Sequence, residues 1–271
     1  MLDLLSHPAV QGGLAPFVAS LIVAELLQRL RLSGLCIIAG FTLTVYLIGG
    51  LAFDPLTIQR KIVLAGLLSA LLALLLQFYS PRWMRTVLAV AGGGVALWVM
   101  WRILQQQEQT SMAVWGAGCA LYVAWLVFWM DGLNDAPVRA GSAGLALGLG
   151  TGAAALFGAS ASLGQSGLAL GAAAGAFLLI QMLTNRHLPC GRNFTLPLAL
   201  IAGLTGCYAV LAAQLPWYTL PVLAVIPLVA RIRLFEKQAL WLQSVMLSVL
   251  PMACAAVAVY LTWRVAGAPP L

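Results

Sequence analysis

Apolar runs about as long as a bilayer is thick follow one another down the chain, separated by short turns that hold nearly all of its charge. A helix needs about 20 residues, within a range of roughly 17 to 25, to cross the hydrocarbon core, because each residue rises only about 1.5 Å. That rule predicts spans at 11–27, 35–53, 62–80, 86–101, 112–130, 140–159, 164–184, 194–213, 216–232 and 239–263. The expected fold class is all-α, a polytopic transmembrane helix bundle of about ten spans that makes residues 1–271 a single integral membrane domain. The ninth run is the weakest. Pro216 precedes it, Pro221 and Pro227 lie inside it and Arg231 closes it, so a kink or a re-entrant path is the alternative to a full crossing. The segment Met1 to Gly13 contains Asp3 and no Lys or Arg, unlike the basic flank of a cleavable signal peptide, and its retention is expected.

Composition settles the solvent: 62% of the residues are apolar and 8% are charged, against about a quarter charged in a soluble domain. A net charge of +7 would suit nucleic acid if it were gathered in one stripe, but the 14 Lys and Arg are scattered in ones to threes over the turns. Nucleic acid is therefore not an expected partner, whereas membrane lipids are. If the turns alternate between two sides, Arg29, Arg31, Arg82, Arg85, Arg139, Arg186, Arg192, Arg231, Arg233 and Lys237 share one side. Arg60, Lys61, Arg102 and Arg264 share the other, so the 14 divide into ten and four. The positive-inside rule makes the ten-charge side cytoplasmic and both termini non-cytoplasmic, in what reads as a bacterial inner (cytoplasmic) membrane. Were the ninth run not to cross, Arg231, Arg233 and Lys237 would change sides and the division would become seven and seven. The bias thus favours ten crossings. All nine tryptophans fall at or within about two turns of a predicted end, where an amphipathic ring prefers to sit.

The spans differ in character. The third, with Leu67, Leu68, Leu71, Leu72, Leu74, Leu75 and Leu76, is bulky on all faces and reads as lipid-exposed. In the sixth, Gly144, Gly148 and Gly152 repeat every fourth residue, as Gly167, Gly171 and Gly175 do in the seventh. Each stripe lets another backbone approach closely, which predicts that these two helices form the centre of the bundle. Their connection carries Ser160, Ser162, Gln165 and Ser166, uncharged but polar, and reads either as a ligand-binding or pore-lining element or as a tight helical hairpin. Ten spans also divide into five and five, about 1–135 and 136–271. An odd number per half would invert one half relative to the other, as in transporters built from inverted repeats.

Little in the chain has the look of catalysis. Glu25 and Arg29, four apart, are placed to pair on one helix face at the interface. Asp131 and Asp135, also four apart, could hold a magnesium ion and through it a diphosphate, but the Asp-Gly-Leu-Asn-Asp-Ala-Pro stretch around them reads more simply as a solvated turn. His187 and Cys190 are too few for a closed zinc site, so with Arg186 and Arg192 they read as a basic turn touching anionic headgroups. The five cysteines include no CxxC pair, and His7 lies in a tail, away from any place a buried haem would need it. No cofactor is implied. The mid-span polar residues Thr42, Thr44, Ser69, Thr151, Thr205, Tyr208, Gln243 and Ser248 can each be satisfied within or between helices.

The functional expectation is a carrier or channel-like passage for a small neutral or amphiphilic solute. Two alternatives accompany it: a non-catalytic subunit whose glycine stripes dock other membrane proteins, and a lipid-modifying enzyme using Asp131 and Asp135.

Overall fold

A computed structural model of the protein describes residues 7–51, 53–77, 81, 83–213, 215–232 and 238–266. Of the positions that set the orientation above, Asp3, Arg82, Arg233 and Lys237 lie outside the described residues. The rest form helices joined by short turns, in the order α1 (Val10–Leu30), α2 (Ser33–Gly49), α3 (Ile58–Leu76), α4 (Met84–Leu104), α5 (Gln109–Asp131), α6 (Pro137–Gly158), α7 (Ala161–Thr184), α8 (Arg192–Ala212), α9 (Thr219–Val229) and α10 (Leu240–Ala266). Eight of these are long and apolar enough to cross a membrane, and α2 and α9 are shorter apolar helices. The protein is an integral membrane helical bundle. At about 1.5 Å per residue, the 11 residues of α9 rise only about 16 Å, so it differs from the full ninth span that the hydropathy pattern predicts.

Local chemistry explains where the helices begin and end. Pro137 opens α6 at a position where its missing N–H costs nothing. The side chains of Thr57 and Ser160 cap α3 and α7, accepting from the Arg60 and Leu163 backbone N–H groups. Beyond the C-terminal ends of α2 and α7 the chain turns through left-handed residues, Gly50 (φ 71°) and Asn185 (φ 49°), residue types that tolerate this region. The last turn of α1 tightens into a 3₁₀ turn at Gln28–Leu30. There Glu25 takes a hydrogen bond from Gln28 Nε2 rather than from Arg29, because the tighter turn removes the α-helical i,i+4 geometry on which the expected pair depended.

The two glycine stripes face each other. A Cβ on Gly148 would lie 2.6 Å from the Cα of Gly171, and one on Gly167 would lie 2.5 Å from the Cα of Gly152, so α6 and α7 meet backbone to backbone. Gly144 instead meets the Leu198 side chain of α8, and Gly175 has only side chains near it, Leu145 at 3.4 Å and Phe17 at 4.0 Å. The most enclosed helix is α8, not α6 or α7: every residue from Arg192 to Cys207 is buried. It packs against α3, α5, α6 and α7, while α2 packs on α7. The third span is not bulky all round. Ala65, Gly66, Ser69, Ala70 and Ala73 form a small, buried face, with Ile201 of α8 against Gly66, while Leu68, Leu71, Leu72 and Leu75 point outward.

Candidate functional site

The polar connection between α6 and α7 is a hairpin and also part of a pocket. Only Ala159 and Ser160 separate the two helices, so Ser162, Gln165 and Ser166 belong to the first turns of α7 rather than to a loop. Ser160 caps the helix and lies 3.3 Å from the Ser162 hydroxyl. Ser162 Oγ accepts a hydrogen bond from Gln59 Nε2 of α3 at 3.1 Å, and Ser166 Oγ donates to the Ser162 carbonyl at 2.9 Å. Gln165 turns away from this group and is buried, with Gly12 of α1 packed against its stem.

Ser162 and Ser166 line a half-enclosed cavity of about 280 Å³ between the C-terminal end of α2, the start of α3, the start of α7 and the middle of α8. Its rim is polar: Thr57, Gln59, Arg60 and the two serines. Arg60 is half-buried there, its Nη1 donating to the Pro55 carbonyl at 2.8 Å. The walls are apolar, from Phe41, Val45, Ile62, Val63 and Leu163, and Thr205 of α8 contributes a buried hydroxyl that has no hydrogen-bond partner. Thr205 lies seven residues before the end of α8, about 10 Å along the helix axis from that end. Thr151 of α6 is also buried without a partner. The expectation that every mid-span polar residue satisfies itself therefore holds for Thr44, Ser69 and Ser248, which donate to carbonyls of Gln11, Gly66 and Ser244, and fails for these two threonines. A buried hydroxyl without a partner costs roughly 1–3 kcal/mol, so Thr205 is a polar group in want of an acceptor or donor.

At the opposite end of α2 the expected solvated turn is a locked one. Asp131, the last residue of α5, is 4% exposed and pairs with Arg192, the first residue of α8 and 6% exposed, at 2.9 Å between Oδ1 and Nε. Arg192 therefore turns inward rather than toward lipid headgroups, and the Gly191 N–H donates to the Asn134 carbonyl at 3.1 Å beside it. Asp135 remains exposed, so the two carboxylates do not share one environment. Cys190 is buried while His187 is exposed, and burial pushes the Cys190 thiol well above its ordinary range, keeping it protonated. A second cavity of about 540 Å³ opens at this end, lined in part by Gln28, Arg29, Arg31, His187, Leu188 and Cys190. Compared with known protein families, curated proteins and solved structures, the chain matches none.

Proposed function

We propose that the protein is a carrier or channel-like passage for a small amphiphilic solute, which it receives in the cavity between α2, α3, α7 and α8. The observation that carries this reading is the Thr205 hydroxyl, buried and unpartnered in a small apolar pocket with a polar rim. A volume of about 280 Å³ lies just below the usual range of ligand sites, roughly 300–1,000 Å³, and so suits a small solute. The solute it fits has a short apolar body that fills the walls, a polar group for Thr205, and a head that accepts from Arg60 and the serine rim.

The arrangement of the ends supports an inverted repeat of residues 1–135 and 136–271, and with it alternating access. The start of α7 meets the start of α3 through Ser162 and Gln59, and the start of α2 meets the start of α8, where a Cβ on Gly34 would lie 2.5 Å from the Cys190 carbonyl. In a five-plus-five inverted repeat these are the same contact at opposite ends. The two cavities correspond in part: one lies by the α2–α3 turn and the start of α7, the other by the α7–α8 turn and the end of α1, with the α5–α6 turn added to the second. Gly148 and Gly152 are occupied with Gly171 and Gly167, which favours the carrier reading over the subunit reading.

Reconstituted liposomes test the passage directly. Flux of short-chain carboxylic acids, alcohols and zwitterionic amino acids should include at least one solute that moves faster with protein than without it. Ser166→Trp, which fills the cavity from the rim, should reduce that flux about tenfold or more without changing the elution profile of the purified protein. Equal flux of every such solute through protein-containing and protein-free liposomes would rule the reading out.

Orientation is tested separately. Ten crossings place both termini outside, so a reporter enzyme active only outside the cytoplasm should be active when fused after Leu271 and silent after Lys237. Snorkelling of Arg231 toward the interface lets the short α9 span a locally thinned bilayer at modest cost. Activity after Lys237 would show that α9 does not cross and would remove the five-plus-five division.

A further inference from the structure

Among the described residues, the Asp131–Arg192 pair uses the one buried carboxylate at its end of the bundle, and two further guanidiniums lie close by. Arg85 in the first turn of α4 and Arg231, just beyond α9, approach Gly132 together: a Cβ built on Gly132 would lie 2.9 Å from Arg85 Nη2 and 2.8 Å from Arg231 Nη2. Arg85 stacks on the Phe128 ring, its Cζ 3.7 Å from the centroid, and Arg231 lies over the Trp129 ring at 4.7 Å. Among the described residues neither has a carboxylate within ion-pair distance. Arg85 Nε donates to the Phe128 carbonyl, but Arg85 Nη2 is buried without a partner, and so is the indole Nε1 of Trp129. Beyond the Asp131–Arg192 pair, Arg85 and Arg231 bring two further guanidinium charges up to Gly132.

Two cations held this close repel each other, and stacking on aromatic rings offsets only part of that repulsion. The missing component is an anion. We propose that Arg85, Arg231 and the Trp129 indole N–H form a binding site for a phosphate group at the headgroup level of the membrane. Guanidiniums present paired N–H donors that match phosphate oxygens, and donors from three side chains suit a group with several oxygens better than a single carboxylate. The depth follows from the neighbours: Trp83 and Trp125, both exposed, flank the site at the ends of α4 and α5, where tryptophan marks the interface. The adjoining cavity of about 800 Å³, lined in part by Arg231, Arg139, His187 and Gln243 and also by Asp135, is larger than one phosphate and leaves room for the rest of a polar headgroup. This site is separate from the solute cavity and does not depend on the carrier reading.

The phosphate can belong to an anionic phospholipid or be free in solution, and the test has an arm for each. Thermal unfolding of the detergent-purified protein is followed with added phosphatidylglycerol, with phosphatidylcholine and with inorganic phosphate, while native mass spectrometry reads the phospholipid that stays bound. Phosphatidylglycerol should raise the melting temperature of the wild type, and phosphatidylcholine, whose choline cation neutralises its phosphate and is repelled by the two guanidiniums, should not. In Arg85→Gln/Arg231→Gln the shift should vanish and retained anionic lipid should fall about tenfold, the effect of losing one charge-assisted hydrogen bond or more. Trp129→Phe keeps a ring for the guanidiniums and removes only the N–H, so it should lose part of the shift and still fold. A shift produced equally by inorganic phosphate would assign the site to free phosphate. If the wild type gains no stability from phosphatidylglycerol or phosphate beyond that from phosphatidylcholine, the site does not exist. Equal lipid retention by the wild type and a well-folded double variant would overturn it as well.

Discussion

Replacing Gly148 by leucine is expected to cost the protein its fold. A Cβ there would lie 2.6 Å from the Cα of Gly171 and 2.8 Å from the carbonyl carbon of Leu170, so the obstacle is backbone and cannot rotate away. Overpacking against side chains costs about 1–3 kcal/mol; here two helices must separate along their whole contact, which puts the cost above about 3 kcal/mol. The expected result is loss of the monodisperse peak in detergent size-exclusion chromatography. Two milder changes calibrate it. Gly175→Ala, at the loose end of the facing stripe on α7 with Leu145 at 3.4 Å, should be tolerated. Gly118→Ala on α5, where nothing lies within 4 Å, should be neutral or gain up to about 1 kcal/mol from helix propensity. A Gly148→Leu protein that elutes and melts like Gly118→Ala would contradict the backbone contact of α6 with α7.

The contrast between Gly148 and Gly175 shows how far the sequence is legible. A four-residue glycine period is visible in the chain because it is local, and it identifies α6 and α7 as closely packed. Which glycines in the stripe are indispensable depends on the crossing of the two helices, which no local pattern encodes. The enclosure of α8 was hidden for a different reason. Lipid tails and protein interiors are equally apolar, so a helix surrounded by protein and one surrounded by lipid have the same hydropathy. Its only distinctive marks are small and polar residues such as Thr195, Gly203, Thr205 and Gly206, which occur elsewhere in the chain as well.

The same distinction between local and distant partners governs the sites. The serines of the α6–α7 connection stand out as polar in an apolar chain, but their pocket exists only because α2, α3 and α8 close around them. Gln165 belongs to the same short stretch and faces α1 instead: Ser162 and Ser166, four apart, share one helix face, whereas Gln165, next to Ser166 in the chain, is turned about 100° from it. At the other end, the spacing of Asp131 and Asp135 suggested a carboxylate pair, whereas Asp131 is bound to Arg192, 61 residues away. The phosphate site likewise joins residues from α4, α5 and the end of α9, and in the sequence its arginines appear only as topology signals.

Asp131→Ala is expected to destabilise the protein by about 3–5 kcal/mol, the cost of leaving a buried charge without its partner. The geometry makes the loss heavier than an ordinary broken ion pair. Asp131 lies at the C-terminal end of α5 and Arg192 at the N-terminal end of α8, so each charge sits at the unfavourable end of its own helix dipole and beside the favourable end of its partner's. Removing the carboxylate leaves the buried Arg192 guanidinium against the positive end of α8 without that counter-charge. Asp135→Ala, at an exposed position, should change stability by no more than about 0.5 kcal/mol. The double variant Asp131→Ala/Arg192→Met should recover most of the lost stability, since replacing both members of a buried pair by apolar groups is often neutral. Detergent melting curves of the four proteins measure all of these effects together. If the two carboxylates instead served a metal-dependent lipid reaction, both alanine variants would fold and melt like the wild type, and the double variant would show no recovery because there would be no loss to recover from. A melting temperature unchanged by Asp131→Ala would therefore remove the structural lock between α5 and α8 and return Asp131 to the candidates for chemistry.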